Sequence, residues 1–426
     1  MPAFRGSWIV LAVLLEAALA VVVRLAQAPV FPLLPGLAWI SAAGLVYLIA
    51  AAAVLHSPPQ RLPRVRWILL AALVFRLTLL PLTPTLAGTA MRFRWDGKIQ
   101  QAGFNPYAYA PQNAFFNPIR SPQEAAALPE PGVAAYHPPL AELLFRWNYA
   151  WFPGLRAQKI LVTALDLLLL GVLVRMLKRR QQPPQWVLLY AWSPLAVFEV
   201  AGNGHLEPAA ALFALLALHW AGRRLRPAAL ALASAALTQW YALLLLPAVL
   251  APAGRRWLSS LAWLLGWGAV LTLPFLFANQ QFLLGRIAAN LRAHFAAQVP
   301  YNASLFALLH AWFGPPAAAA VAALLVAAAV ATTRARHLEP LRAAFVILGA
   351  LLLALPQVHP WTLLCLLPLL VFFPEAPWLY FSVAVLWAYA VAPHPFLVAL
   401  EYLPLYALLA WQALRPRRRA LPQAAA

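Results

Sequence analysis

Long apolar runs of about twenty residues recur along nearly the whole chain, and they limit how it can fold more than any other feature. Each run can cross the roughly 30 Å hydrocarbon core of a bilayer as a helix. Lipid offers no water to backbone groups, so spanning segments must be helices or closed barrels. These runs are rich in Leu and Ala and do not alternate, which favours helices.

The sequence therefore predicts an all-α, polytopic integral membrane protein, with residues 1–426 forming one transmembrane domain. We expect about 11–13 transmembrane helices, because that number of apolar runs is long enough to span. The predicted spans are 7–28, 36–56, 67–86, 157–177, 184–201, 206–222, a broken segment at 227–253, 257–277, 315–333, 340–358, 361–373, 378–393 and 400–414.

Basic residues cluster between the apolar runs, and this placement explains the net charge of +20. Such clusters mark the cytoplasmic ends of membrane helices, which puts both termini in the cytoplasm and argues against a nucleic-acid partner. The first apolar run is expected to be a retained helix rather than a cleaved signal. Cys365 is the single cysteine, so no intrachain disulfide can form. The main basic clusters lie at 61–66, 178–180, 223–226, 255–256, 334–336 and 415–419.

Polar residues gather in loops that this topology puts on the outer face. The first long loop spans residues 87–139, and the second spans 279–302. In the second loop, apolar residues recur at helical spacing and predict an interfacial amphipathic helix. Segment 227–253 is about one span long with arginines at both ends, so we expect a broken or re-entrant hairpin around Thr238 and Gln239. The apolar positions of the amphipathic helix are Leu283, Leu284, Ile287, Leu291 and Phe295.

Asp96 is one of two aspartates in a chain that has eleven acidic residues in all. It lies in the first loop, with basic residues on both sides. A helix over residues 91–101 would carry an apolar stripe that faces the bilayer and a polar stripe that faces a cavity. The first stripe is Met91, Trp95 and Ile99, and the second is Arg92, Asp96 and Gln100. Asp96 is therefore the candidate catalytic base, although a surface ion pair with Arg92 would explain the same spacing.

Other polar residues near the predicted outer face are candidate substrate contacts, and several have a structural alternative. GNGHLEP could cap a helix, and the prolines after His137 could form a rigid helix entry. Arg292 and His294 could bind lipid headgroups, and His359 could belong to an interfacial belt. The candidates are Arg92, Arg94, Lys98, Gln101, Asn105, Tyr107, Tyr136, His137, Asn203, His205, Glu207, Arg292, His294 and His359.

A divalent metal is a conceivable cofactor, and the chain contains side chains that could hold one. Carboxylates and imidazoles are suitable ligands, but no ligand spacing here requires a metal, so no metal-binding residue and no other cofactor is assigned. The side chains in question are Asp96, His205, Glu207 and His359.

An ordered set of motifs gives the chain a resemblance to a known family. RFRWDGKIQQAGFNPYAYAP, YHPPLAELLF, GNGHLEP, ANLRAHF with NASLF, and QVHPWTLLCLLPLL follow one another between residues 66 and 414. Together they resemble the bacterial and archaeal glycosyltransferase 87, or mannosyltransferase-related, family of the GT-C superfamily. The resemblance implies a multi-helix membrane core in the bacterial inner membrane, with the active site on the periplasmic face.

The same resemblance implies the reaction and the partners. Such an enzyme takes mannose or a similar sugar from a polyprenyl-phosphate donor, with inversion, and passes it to a glycan, lipid or protein acceptor. Asp96 would be the base or would orient the acceptor, and Arg92, Arg94, Lys98 and Arg292 would hold the donor phosphate. Membrane lipids surround the protein, and no nucleic acid is involved.

Two positions depart from the family pattern. An acidic pair often precedes the arginine in the family, and Gly88 and Thr89 stand there in this chain. If that pair supplies the base, this protein has lost it, because Asp96 matches only the later acid. The family also tends to carry a lysine where this chain has Thr238 and Gln239.

Three hypotheses follow from these observations. The first is a glycosyltransferase. The second is a degenerate relative that binds a lipid-linked sugar without transferring it, motivated by Gly88 and Thr89. The third is a transporter or flippase, which the broken segment favours but which the one-sided polar content and the lack of an internal repeat oppose.

Overall fold

The computed structural model describes residues 3–28, 30–84, 88–276, 283–296 and 300–414. Within these ranges the chain is built from helices, with a single isolated β-bridge between Tyr301 and Gln357. Parts of several predictions lie outside the described residues. They are the ends of the predicted 67–86 and 257–277 spans, the first residue of the 87–139 loop, parts of the 279–302 loop and the basic 415–419 cluster.

The α-helices are numbered in chain order. They are α1 Ala3–Leu25, α2 Leu33–His56, α3 Val65–Leu79, α4 Thr89–Gln101, α5 Pro122–Ala127, α6 Pro139–Trp151, α7 Leu155–Arg179, α8 Leu188–Ala191, α9 Pro194–Val197, α10 Glu207–Trp220, α11 Leu225–Ala236, α12 Leu246–Leu250, α13 Trp257–Leu276, α14 Leu283–Ala296, α15 Leu305–Ala335, α16 Pro340–Ala354, α17 Ala376–Ala384 and α18 Phe396–Leu414.

Shorter helical turns join these helices. One is a π-helical turn, Phe198–Gly202. The others are 3₁₀ turns: Pro59–Arg61, Ala114–Phe116, Pro184–Val187, Trp240–Leu245, Ala251–Arg256, Pro360–Cys365, Leu367–Val371 and Val385–Ala390.

Six helical segments of the described chain are long and apolar enough to cross a membrane, which confirms the all-α, polytopic membrane class. Six is fewer than the 11–13 spans predicted, because several apolar runs form shorter helices instead: Glu207–Trp220, Leu225–Ala236, Pro340–Ala354 and Ala376–Ala390. The six long segments are Ser7–Leu25, Leu33–His56, Leu155–Arg179, Trp240–Leu276, Leu305–Ala335 and Phe396–Leu414.

Prolines interrupt two of the predicted spans. The run at 184–201 is a chain of short turns, since Pro194 cannot donate a backbone N–H and Ser193 takes an extended conformation before it. The run at 361–373 consists of two 3₁₀ turns that include Pro360 and Pro368. Both interrupted stretches are buried within the protein, where other segments surround the irregular backbone.

The predicted break in segment 227–253 is present. Helix α11 ends at Ala236, and Gln239 adopts an extended conformation (φ −146°, ψ 129°) before the chain resumes as a 3₁₀ turn at Trp240. The backbone N–H groups of Leu140 and Ala141 donate to the carbonyl of Leu237 at this break. Helix α6 therefore satisfies an acceptor that the interrupted helix leaves open.

A fully buried ion pair ties α3 to α7 and α8. Arg76 Nε lies 2.5 Å from Asp166 Oδ2, and the Tyr190 hydroxyl donates to Asp166 Oδ1 over 2.5 Å. Arg76 also donates to the carbonyls of Ala72 and Ala191. The structure thus pairs this intramembrane acid with Arg76.

This network predicts a large effect on stability. Asp166→Ala would leave the Arg76 charge buried without its partner and is expected to reduce the free energy of unfolding by about 3–5 kcal/mol. Cys365 is buried and is the only cysteine, so the reaction of a thiol dye with it reports unfolding directly. The double variant Arg76→Met/Asp166→Leu should recover most of the loss in the unfolding midpoint that the thiol reaction measures. Equal unfolding midpoints for Asp166→Ala and wild type would contradict the assigned role.

Helix α4 lies against α6 at Gly97. A β-carbon at this position would stand 2.3 Å from the backbone oxygen of Phe145, so only glycine permits the observed approach. One turn earlier, the rings of Phe93 and Phe145 stack with centroids 4.2 Å apart. This contact sets the spacing between the helix that carries Asp96 and the helix that carries Glu142.

Gly97→Ala should therefore push α4 away from α6 and destabilise the protein by about 1–3 kcal/mol, the usual cost of overpacking. Gly171→Ala is the matched control, because a β-carbon at that position of α7 would meet no described atom within 4 Å. The thiol-reaction midpoint should fall for Gly97→Ala and stay unchanged or rise for Gly171→Ala. A similar response of both variants would show that the α4–α6 approach is not tight.

The apolar stripe of α4 does not face the bilayer, contrary to the prediction. Trp95 and Ile99 are each 1% exposed and pack with Phe116 and Leu128 of the same loop. The loop folds back over α4 because its aromatic residues need a surface against which to bury. Its α5 helix begins with a capping box in which Ser121 and Glu124 satisfy each other's backbone N–H groups.

A helix, α14, forms in the second predicted loop and lies against the first. Leu283 and Ile287 are buried in a cluster with Tyr107, Leu143 and Phe275, so this part of the apolar face packs on protein. Asn290 Nδ2 donates to the carbonyls of Tyr107 and Ala135. The side chains of Leu284 and Phe295 lie outside the described residues.

Candidate functional site

The polar stripe of α4 forms as predicted. Arg92 Nε lies 3.0 Å from both carboxylate oxygens of Asp96, and both side chains are buried. Arg92 also donates to the carbonyl oxygens of Val133 (3.0 Å) and Glu130 (3.4 Å). The pair is thus an interior contact rather than the surface pair that the spacing alone allowed, and it joins α4 to the end of the first loop.

Glu142 lies beside this pair, on α6. Gln100 Nε2 donates to Glu142 Oε2 over 3.0 Å and to the backbone oxygen of Asp96 over 3.1 Å. Asp96, His137 and Glu142 each offer an atom within 4.8 Å of those of the other two. This is the one group of three potential metal ligands that comes together in the described chain. It differs from the four side chains that the sequence analysis considered without assigning them to a metal, since it shares only Asp96 with them.

Burial dominates the protonation of these three groups. It raises the pKa of Asp96 to about 6, although the charge of Arg92 acts in the opposite direction. Burial, together with the charge of Asp96, raises the pKa of Glu142 well above its ordinary value. Burial, with smaller contributions from Arg92 and His294, lowers the pKa of His137 to about 3. The site therefore holds a neutral imidazole beside two carboxyl groups.

Aromatic rings line the site from the side of α14. The Tyr136 ring stacks between His137 (centroids 4.8 Å apart) and His294 (3.9 Å). His294 Nδ1 also lies 2.9 Å from Glu130 Oε2. Two segments far apart in the sequence, 130–137 and α14, thus meet at one wall of the site.

A second polar cluster is centred on His205. His205 Nε2 lies 3.3 Å from Glu199 Oε2, and His205 Nδ1 lies 3.9 Å from Glu207 Oε2. Glu199 also accepts hydrogen bonds from Asn203 Nδ2 and the Tyr389 hydroxyl. The π-helical turn 198–202 directs Glu199 into the interior, and such turns often occur at functional positions. At the break between α11 and the next turn, Gln239 Nε2 donates to Glu207 Oε1 over 3.1 Å.

A column of stacked rings runs from this cluster to the loop before residue 360. Trp361 lies between His205 (4.3 Å) and His359 (4.4 Å), and His359 stacks in turn on Tyr301 (4.9 Å). Both faces of the Trp361 ring and of the His359 ring are thus covered by rings of the protein. Burial, followed by the charges of His359 and His137, lowers the pKa of His205 to about 3, which places the two clusters within electrostatic reach.

Several predicted substrate contacts do not belong to this site. Arg94 and Lys98 point to the opposite side of α4 from Asp96, because two residues along a helix correspond to about 200° of rotation. Their terminal nitrogens each lie 2.7 Å from a carboxylate oxygen of Glu124. Arg292 is exposed and contacts the backbone of its own helix, at Ala288.

Three further candidates have structural contacts instead. Gln101 is exposed and donates to the backbone oxygen of Arg146. Asn105 accepts from the backbone N–H of Tyr107, and the Tyr107 hydroxyl donates to the carbonyl of His137 over 2.7 Å. These two residues hold the loop that presents His137, so their contribution to the site is one of position.

Sequence reasoning gave no role to Glu142, Glu199 or Gln100 as site residues. Gln100 was on the polar stripe with Asp96, and Glu142 and Glu199 are two of the eleven acidic residues of the chain. The missing information was the approach of α6 to α4, which depends on a contact between residues 97 and 145.

Comparisons with protein-family models, curated proteins and solved structures found no match to this chain. The resemblance to the glycosyltransferase 87 family therefore stands on the motifs alone.

Proposed function

We propose that this membrane protein is a glycosyltransferase that moves a sugar from a polyprenyl-phosphate donor to an acceptor at the outer face of the membrane. The observation that carries the proposal is the buried Arg92–Asp96 pair, which lies beside Glu142 and His137 within one group. His294 stacks on Tyr136 at this group, and the second cluster around His205 lies within electrostatic reach of His137. A shielded acid next to a fixed cation is what proton abstraction near a phosphate leaving group requires.

In this proposal Asp96 is the base or orients the acceptor hydroxyl, and Arg92 balances the charge of the leaving phosphate. Arg94, Lys98 and Arg292 are no longer assigned to the phosphate, since their contacts lie elsewhere. Gly88 forms the N-cap of α4 without a side chain to offer, so Asp96 is the acid that this helix presents to the site. Tyr136 and His294 supply ring edges suited to a sugar.

One observation favours a second candidate, a binding subunit without catalysis. The guanidinium of Arg92 already donates to Asp96 and to two backbone carbonyls, which is the pattern of a structural clamp. A transporter is less well supported, because the intramembrane acid Asp166 is held by Arg76 and Tyr190.

Donor consumption separates the first two candidates. Asp96→Asn should lower turnover of polyprenyl-phosphate sugar by at least about 100-fold, the contribution typical of a positioned base, while donor binding is retained. The measurement is release of polyprenyl phosphate by protein in nanodiscs, offered a panel of donors with crude membrane acceptors. Glu124→Gln, which alters a carboxylate of the same loop outside the site, is the matched control. Saturable donor binding without turnover in the wild type would favour the binding subunit.

The two arginines of α4 should differ sharply. Arg92→Gln should reduce kcat/KM by about 100-fold or more, because it removes the cation beside the reacting phosphate. Arg94→Gln breaks a partly exposed ion pair with Glu124 and should change kcat/KM by less than about fivefold. Thiol-reaction midpoints for both variants would show whether a loss reflects unfolding. Equal losses in two folded variants would contradict the assignment of Arg92.

A further inference from the structure

Two carboxylates and one imidazole come together in the candidate site. The potential ligand atoms of Asp96, His137 and Glu142 lie within 4.8 Å of one another. Two donors on opposite sides of a small divalent cation stand about 4.2 Å apart, since each bond is about 2.1 Å long. The three groups therefore have nearly the spacing that one ion needs.

When both carboxylates are ionised, the charges around these groups do not balance. Arg92 Nε lies 3.0 Å from both oxygens of Asp96, so this cation compensates one of the two carboxylates. Glu142 is fully buried, and its side chain receives a hydrogen bond from the neutral amide of Gln100 at Oε2. Within the described chain, Glu142 appears in no ion pair. A buried carboxylate without a cationic partner is costly.

Three atoms around the group also lack hydrogen-bond partners. Among the described residues, Glu142 Oε1, His137 Nδ1 and Gln100 Oε1 are buried and accept no hydrogen bond. Glu142 is 0% exposed and Gln100 is 6% exposed, and the two are joined through the Gln100 amide. Unsatisfied acceptors on adjoining buried side chains are what a cation would satisfy.

We propose that Asp96, His137 and Glu142 bind a divalent cation of the Mg²⁺/Mn²⁺ class. Carboxylate oxygens suit this class of ion, and an imidazole ligand is compatible with Mn²⁺. His137 is the one of the three side chains that is partly exposed. The role of the ion rests on the proposed function. The ion would be a second cation beside Arg92, where the donor phosphate is expected.

Mn²⁺ is the probe for the test. Full-length protein in phosphatidylcholine nanodiscs, stripped with chelator, is titrated with Mn²⁺, and the six-line paramagnetic resonance signal of the free ion is recorded. We expect one bound Mn²⁺ per chain, displaced by Mg²⁺. Glu142→Gln and His137→Gln should each weaken binding by more than about tenfold. Glu124→Gln, whose carboxylate is already paired with Arg94 and Lys98, should bind as the wild type does.

Two further measurements make the result decisive. Glu142→Asp keeps a carboxylate and should bind Mn²⁺ better than Glu142→Gln, and thiol-reaction midpoints identify any variant that fails to fold. Binding no greater than that of empty nanodiscs, or an unchanged affinity in folded Glu142→Gln, would overturn the proposal. The outcome is separable from the proposed function. If the protein turns over donor in the presence of chelator and binds no Mn²⁺, only the proposed cation site is contradicted. Specific Mn²⁺ binding without any donor turnover would contradict only the proposed glycosyltransferase activity.

Discussion

Backbone hydrogen bonding in a medium without water is the constraint on which the rest of this structure depends. The chain carries 40 prolines among its apolar runs, and a proline inside a helix removes a backbone donor. The open groups must then be satisfied inside the protein. The interrupted stretch around Pro194 and the break at Gln239 are accordingly enclosed by other helices. The polar cluster of Glu199, Asn203 and His205 is built on one of these interruptions, so the irregular backbone and the candidate site have the same origin.

Acidic residues are few, and the structure gives most of the buried ones specific partners. Asp166 is held by Arg76 and Tyr190, and Glu199 by Asn203 and Tyr389. Asp96 has Arg92, whereas Glu142 has only the amide of Gln100. A buried charge costs free energy unless an opposite charge compensates it. The group around Glu142 is therefore where function, rather than stability, gives the better reason for a buried carboxylate.

Local periodicity predicted some side-chain relationships well and others poorly. The α4 helix and the Arg92–Asp96 pair follow from residues four positions apart, which any helix brings together. The same reasoning grouped Arg94 and Lys98 with Asp96 because they are close in sequence, although they face Glu124 across the helix. Glu124 also forms the capping box at the start of α5, and its contacts with Arg94 and Lys98 depend on how the loop folds back over α4. The bilayer contact predicted for Trp95 was wrong because an aromatic cluster of the protein's own loop covers it.

By itself, the sequence determined the membrane class, the helical nature of the chain, the break near Gln239 and the polar stripe of α4, since each depends on composition or on contacts within a few residues. Only the tertiary structure decided which acids meet. Asp96, His137 and Glu142 come together because Gly97 allows α4 to approach α6. His205 reaches His359 because Trp361 stacks between them. These are contacts between segments separated by many residues, and their energies depend on packing and burial that no local pattern records.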